Sequence, residues 1–127
     1  MRIVIVGIGV DLADVAALQE RMTSEERVAA RMFTAAEREY CSALANPYRH
    51  FAGTAAAKEA VMKALGTGWT DDVDWLDISI ERIDSGRPVV VLSGGALTAA
   101  NALNARNCLV SISHDGAYAV ACAVLES

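Results

Sequence analysis

A chain of 127 residues that is 54% hydrophobic, with only two prolines, is long enough for one cored domain and too apolar to be disordered. A formal net charge of −5, with no basic stripe interleaved with aromatics, argues against general nucleic-acid binding. No apolar run reaches the roughly 20 residues of a membrane span, and the opening MRIVIVGIGVD lacks the layout of a signal peptide, so a soluble, cytoplasmic protein with no membrane partner is expected.

Arg2 to Val10 is a β-branched run with period-two character, read as a strand that delivers Asp11 at its end. Gly7 and Gly9 share one face of it, and a face without side chains admits another backbone or a ligand. From Leu12 the pattern turns helical through Val15, Leu18 and Met22. Thr23-x-x-Glu26 and Thr34-x-x-Glu37 resemble capping boxes and predict helices over 24–32 and 35–44. Asn46 and Pro47 then open a long helix, starting near Tyr48, with Gly53 a weak interior point. In its AGTAAAKEAVMKALGTG stretch, Ala57, Ala60, Val61, Ala64 and Leu65 share one arc, while Lys58, Glu59 and Lys63 form a polar stripe. Gly66 and Gly68 end it.

The acidic loop WTDDVDW leads to a strand through Leu76, Ile78 and Ile80. Asp84 to Arg87 is a turn, and Val89 to Leu92 the return strand, with Pro88 at its start. Ala96 to Ala105 predicts a short helix. Cys108 to Ser113 and Ala117 to Leu125 form a second hairpin about His114-Asp115-Gly116. This order predicts one α+β domain over 1–127, an antiparallel sheet packed against the long central helix. Cys41, Cys108 and Cys122 have no CxxC spacing, so reduced structural thiols are expected rather than bridges or zinc.

Few polar points interrupt this apolar scaffold. Asp11 reads either as a cap for the following helix or as a ligand. Glu59 and Lys63, spaced i,i+4, read as a solvent-facing pair or as a site. His114 reads as a turn residue or a contact, and Asp71, Asp72 and Asp74 as a solvated run or a cation-holding loop. Taken jointly, two carboxylates on separate rigid elements suit a hard, oxygen-seeking ion such as Mg²⁺, which keeps waters and completes its shell with phosphate oxygens. A lysine one turn away would neutralise phosphate charge. Gly66-Thr67-Gly68 could offer backbone N–H groups to the same anion, although a helix C-terminus is the unhelpful end of the dipole.

The strand VGIGVDL, the segment FTAAE, the helix FAGTAAAKEAVMKALGTG, the turn SGRP and the terminal VSISHDGAYAVA stand in the order and spacing of one family. Across nearly the whole chain the sequence resembles the holo-acyl-carrier-protein synthases, the short-form phosphopantetheinyl transferases. That resemblance implies the phosphopantetheinyl transferase fold and transfer of the 4′-phosphopantetheine arm of coenzyme A to a carrier-protein serine, releasing 3′,5′-ADP. It implies Asp11 and Glu59 as ligands of Mg²⁺, with substitution by Mn²⁺ left open, and Lys63 at the attacked phosphate. It also implies Ser113 and His114 at the nucleotide end, and Arg87 and Pro88 near the adenine. Lys58, Gly66 and Gly68 belong to the same coenzyme A group, with Glu59 the candidate base. Trimers with each site shared between neighbours are implied too, so Asp11 and Glu59 need not face a His114 of their own chain.

Two departures stand out. The family's arginine four residues before the motif lysine is here Thr54, with Ala55 in place of an aromatic, so a phosphate contact would fall to Arg49, Arg106 or Lys58. Its first-helix arginine, facing the acidic carrier, is here Ala17, leaving Arg21, Arg27 and Arg31 for carrier binding. A non-catalytic trimeric relative and a divalent-metal phosphohydrolase are the competing functions.

Overall fold

The computed structural model describes residues 2–68 and 72–127. Its elements run β1 (Ile5–Asp14), α1 (Val15–Ser24), α2 (Val28–Met32), α3 (Ala35–Ser42), α4 (Pro47–Leu65), a 3₁₀ turn (Trp75–Asp77), β2 (Ile78–Arg82), β3 (Pro88–Leu92), α5 (Gly94–Ala102), β4 (Asn107–Asp115) and β5 (Tyr118–Glu126). The α+β class and the long central helix are as expected. There are two antiparallel sheets rather than one, β1-β5-β4 and β2-β3.

Strand β1 outruns its predicted end because its pairing with β5 continues to Asp14↔Tyr118, which leaves Asp11 inside the strand opposite Ala121. The helix cap belongs instead to Asp14, whose Oδ1 accepts the Ala17 N–H at 3.0 Å. At 23–26 no capping box forms. Thr23 donates back to the Gln19 carbonyl at 2.8 Å, and α2 is only five residues long. The box at Thr34 and Glu37 does form. Asn46 precedes α4 with φ 54°, in the left-handed region, and makes no side-chain cap, whereas Gly66 ends the helix at φ 77°.

Helix α4 lies directly on the three-stranded sheet, and small residues make this contact. A Cβ at Gly7 would stand 2.1 Å from the Ala64 carbonyl oxygen, and one at Gly9 2.0 Å from that of Ala60. Register sets Gly9 beside Ala123 and Ala13 beside Ala119, so the inner face of β1 and β5 is a bed of Gly and Ala. Buried Ala57, Ala60, Ala64, Ala121, Ala123 and Leu125 fill the seam. A second apolar cluster, with Phe33 and Phe51 rings 4.8 Å apart, joins α1, α2 and α3 to the first half of α4.

Lys58 departs from the expected polar stripe. Its side chain is 0% exposed and its Nζ sits 2.6 Å from Oε1 of Glu37, itself 0% exposed. Glu37 Oε1 also accepts the Thr34 N–H at 2.8 Å, and Oε2 the Ile80 N–H at 2.7 Å. One carboxylate thus ties α3, α4 and β2 together. At about 100° per residue Lys58 lies about 140° round the helix from Lys63, whereas Glu59 and Lys63 are about 40° apart. Lys58 is thereby corrected from a coenzyme A contact to a core ion pair.

Candidate active site

The inward alternation of β1 brings Asp11 to the same face as Gly7 and Gly9, and hence against α4. One side of that helix carries Glu59 and Lys63. Lys63 Nζ donates to the Val10 carbonyl at 2.9 Å and to Asp11 Oδ1 at 3.1 Å. Glu59 and Asp11 are close enough for their carboxyl groups to act on each other. Burial first, then the charge and side chain of Asp11, push the Glu59 carboxyl up to about 7, against the smaller pull of Lys63 and Arg21.

These carboxylates open into a cleft of about 180 Å³, lined also by Ala17, Leu18, Arg21, Met32 and Ala55. Among the described residues no group of three or more His, Cys, Asp or Glu converges. A cation here would rest on two carboxylates and draw the rest of its shell from water or phosphate, which suits Mg²⁺. The donor set fits: all oxygen, with two like charges that a divalent ion would relieve.

His114 lies elsewhere on the chain. Its Nε2 is 3.0 Å from the Arg49 carbonyl oxygen near the start of α4, and a Cβ at Gly53 would meet that nitrogen at 2.9 Å. Ser113 is exposed on the opposite face of β4. Arg87 and Pro88 stand at the β2-β3 turn, where Ile83 N–H meets the Arg87 carbonyl at 3.2 Å. Gly66 and Gly68 are exposed beyond α4, both at positive φ. Arg21 reaches the cleft from the last turn of α1, while Arg27, at the start of α2, and Arg31, in its last turn, are exposed. Asp72 and Asp74 are exposed; Asp71 lies outside the described residues. Thr54 is buried, its hydroxyl donating to the His50 carbonyl at 2.9 Å.

Sequence reading missed Asp14 as the cap, Glu37 as the partner of Lys58, and His50 and Arg82 beside His114. The angular offset of Lys58 was the available signal for Glu37. An Asp directly before Val15 was the local signal for the Asp14 cap; nothing local marks His50 and Arg82 beside His114, because strand β2 and helix α4 meet only in the fold.

Compared with known proteins, residues 7–123 match the family model of the 4′-phosphopantetheinyl transferase superfamily. The chain is 40% identical over 123 residues to a holo-[acyl-carrier-protein] synthase of Koribacter versatilis, covering 96% of this chain and 98% of that one. It is 43% identical over 119 residues to that of Moorella thermoacetica, covering 94% and 92%. Among solved structures, the Bacillus anthracis holo-(acyl-carrier-protein) synthase in complex with CoA (3′,5′-ADP) superposes with TM-score 0.80 at 34% identity, covering 97% of each chain. The Helicobacter pylori enzyme in complex with coenzyme A does so with TM-score 0.81 at 28% identity, covering 93% and 98%. The chain therefore belongs to the 4′-phosphopantetheinyl transferase superfamily. Within it, its place is among the holo-[acyl-carrier-protein] synthases.

Proposed function

We propose that this enzyme transfers 4′-phosphopantetheine from coenzyme A to a serine hydroxyl of an apo acyl carrier protein, releasing 3′,5′-ADP. The observation that carries the reading is the meeting of Asp11 and Glu59, from a strand and a helix, with Lys63 one turn beyond Glu59. Asp11 and Glu59 would hold Mg²⁺, which when bound supplies positive charge to the diphosphate of coenzyme A. Displacement at phosphorus needs in-line placement and charge neutralisation more than covalent help. The serine oxygen forms the new P–O bond, the bond to the 3′,5′-ADP oxygen breaks, and the serine proton leaves to a base. Glu59 is that base, directly or through one water. Lys63, largely exposed and anchored by the Val10 carbonyl, can swing from Asp11 to a phosphate oxygen.

Ser113, His114, Arg87 and Pro88 serve the nucleotide end, with Gly66 and Gly68 beside the phosphates. Arg21, Arg27 and Arg31 offer the acidic carrier a positive edge around the cleft mouth. The outer sheet face supports a homotrimer: Ile8, Val10 and Leu12 are 73%, 58% and 61% exposed, in rows with Val124, Cys122 and Val120. An apolar sheet face of this kind marks a protein contact, and a shared site would bring one subunit's Asp11 and Glu59 towards a neighbour's His114. No helix among the described residues is long and apolar enough to cross a membrane, in keeping with a cytoplasmic setting.

Incubation with coenzyme A, Mg²⁺ and a panel of apo-carrier proteins, followed by weighing the carriers, tests the function. A gain equal to one phosphopantetheine group is expected. No gain on any carrier overturns it, and release of nucleotide without a gain points to a phosphohydrolase.

A further inference from the structure

A second cavity, of about 190 Å³, lies between β3, α5 and β4 and shares no lining residue with the carboxylate cleft. Ala100 and Leu125, both buried, form its inner end, and Val90, Leu92, Leu97 and Cys108 its walls. Burial pushes the Cys108 thiol up to about 11, so at neutral pH it is an uncharged part of that apolar wall. An apolar cavity of about 150 Å³ takes benzene, so this one has room for an apolar body of about eight carbons.

Arg106 stands at the mouth. Helix α5 ends in a tight turn in which the Ala105 N–H returns to the Ala100 carbonyl at 2.9 Å and Asn104 takes φ 57°. The chain then enters β4 through Arg106, whose N–H donates to the Glu126 carbonyl at 2.8 Å. Exposed Arg106 lines both the cavity and an adjoining recess of about 400 Å³, which it shares with Arg2, Asn101 and Asn104. No acidic side chain lines either space among the described residues. Glu126 follows Leu125 on β5 and so takes the other face of the sheet, where its Oε1 accepts from Asn107 Nδ2 at 3.4 Å. The mouth is also at the far end of β4 from His114.

We infer that this cavity is a binding site for a medium-chain monocarboxylate, with the alkyl chain between β3, α5 and β4 and the carboxylate on Arg106. A guanidinium presents its donors as a planar fork that matches the two oxygens of a carboxylate. The apolar inner end would strand a second charge without a partner, which restricts the ligand to one anionic end. Burial of the chain supplies affinity, and the ion pair at the mouth fixes which end enters.

Calorimetric titration of straight-chain alkanoates, without Mg²⁺, coenzyme A or carrier, tests this apart from the transfer reaction. Affinity should rise about fourfold per added methylene from butanoate to octanoate, and no further at dodecanoate. Octanol and the dianion octanedioate should each bind about tenfold or more weaker than octanoate. Arg106→Gln, a change at an exposed position, should bring octanoate down to the level of octanol. Methyl resonances locate the ligand without any variant. Those of Val90, Leu92 and Leu125 should shift with octanoate, and that of Leu18, in the carboxylate cleft, should stay. No binding, an affinity that ignores chain length or keeps climbing to dodecanoate, an Arg106→Gln variant as tight as the parent, or shifts at Leu18 in place of Leu125 each overturns the inference.

Discussion

At Glu59, a carboxyl half screened from water beside a second one holds its proton up to about 7, against an ordinary 4.5. Between those values the folded protein binds a proton that the unfolded chain has released, so stability falls as pH rises through the window. Stability from this group is whole below 4.5 and gone above 7. Without metal, urea unfolding should show a declining midpoint from pH 5 to 8. Millimolar Mg²⁺ should flatten that decline, because the ion replaces the proton, and an Asp11→Asn variant should lessen it with no ion at all, burial keeping the remainder. Glu59→Gln should keep the fold by circular dichroism yet lower transfer by at least about a hundredfold; normal turnover would remove Glu59 from its role. Lys58 works differently. Its charge is matched inside the core by Glu37, so Lys58→Met leaves a buried carboxylate without its cation and should cost about 3 to 5 kcal/mol in urea unfolding. Adding Glu37→Gln should return a good part of that loss.

At the scale of elements, the seam between α4 and β1 places the site. Helix and strand approach until Ala60 and Ala64 carbonyls occupy the space where side chains on Gly9 and Gly7 would be. Two positions further along β1 that closeness sets Asp11 beside Glu59 and Lys63. Gly9→Ala should therefore push the elements apart, with a loss of about 3 kcal/mol or more and a melting temperature lower by on the order of 10 °C. Mg²⁺ affinity should weaken as well, and an unchanged affinity would show that the seam does not govern the site. The shared face of Gly7 and Gly9 was legible from period two. The continuation of β1 to Asp14 was not, since its cause is pairing with β5, more than a hundred residues on. For the same reason Asp14, and not Asp11, caps α1.

For the whole molecule, the proposed reading has the apolar outer face of β1-β5-β4 carrying a contact between subunits that complete one another's sites. Ile8→Glu puts a charge on that face and should convert the assembly to monomers in light scattering, with activity lost alongside. Mixing inactive Asp11→Asn and His114→Ala subunits offers a sharper test. If sites are shared, random reassembly should restore roughly a quarter of them, whereas sites built within one chain would stay inactive.

The α+β class, the alanine-rich central helix, the Thr34 capping box and the acids Asp11 and Glu59 were all readable from residue order, because periodicity and capping are local. Family likeness gave those acids a chemistry before any distance was known. Tertiary structure alone decided that Lys58 turns inward to Glu37, that the strands divide into two sheets, and that His50 and Arg82 join His114. Each depends on contacts between segments far apart in the chain, and local spacing, which sets Lys58 apart from Glu59 and Lys63 on the helix, cannot say which distant residue meets it.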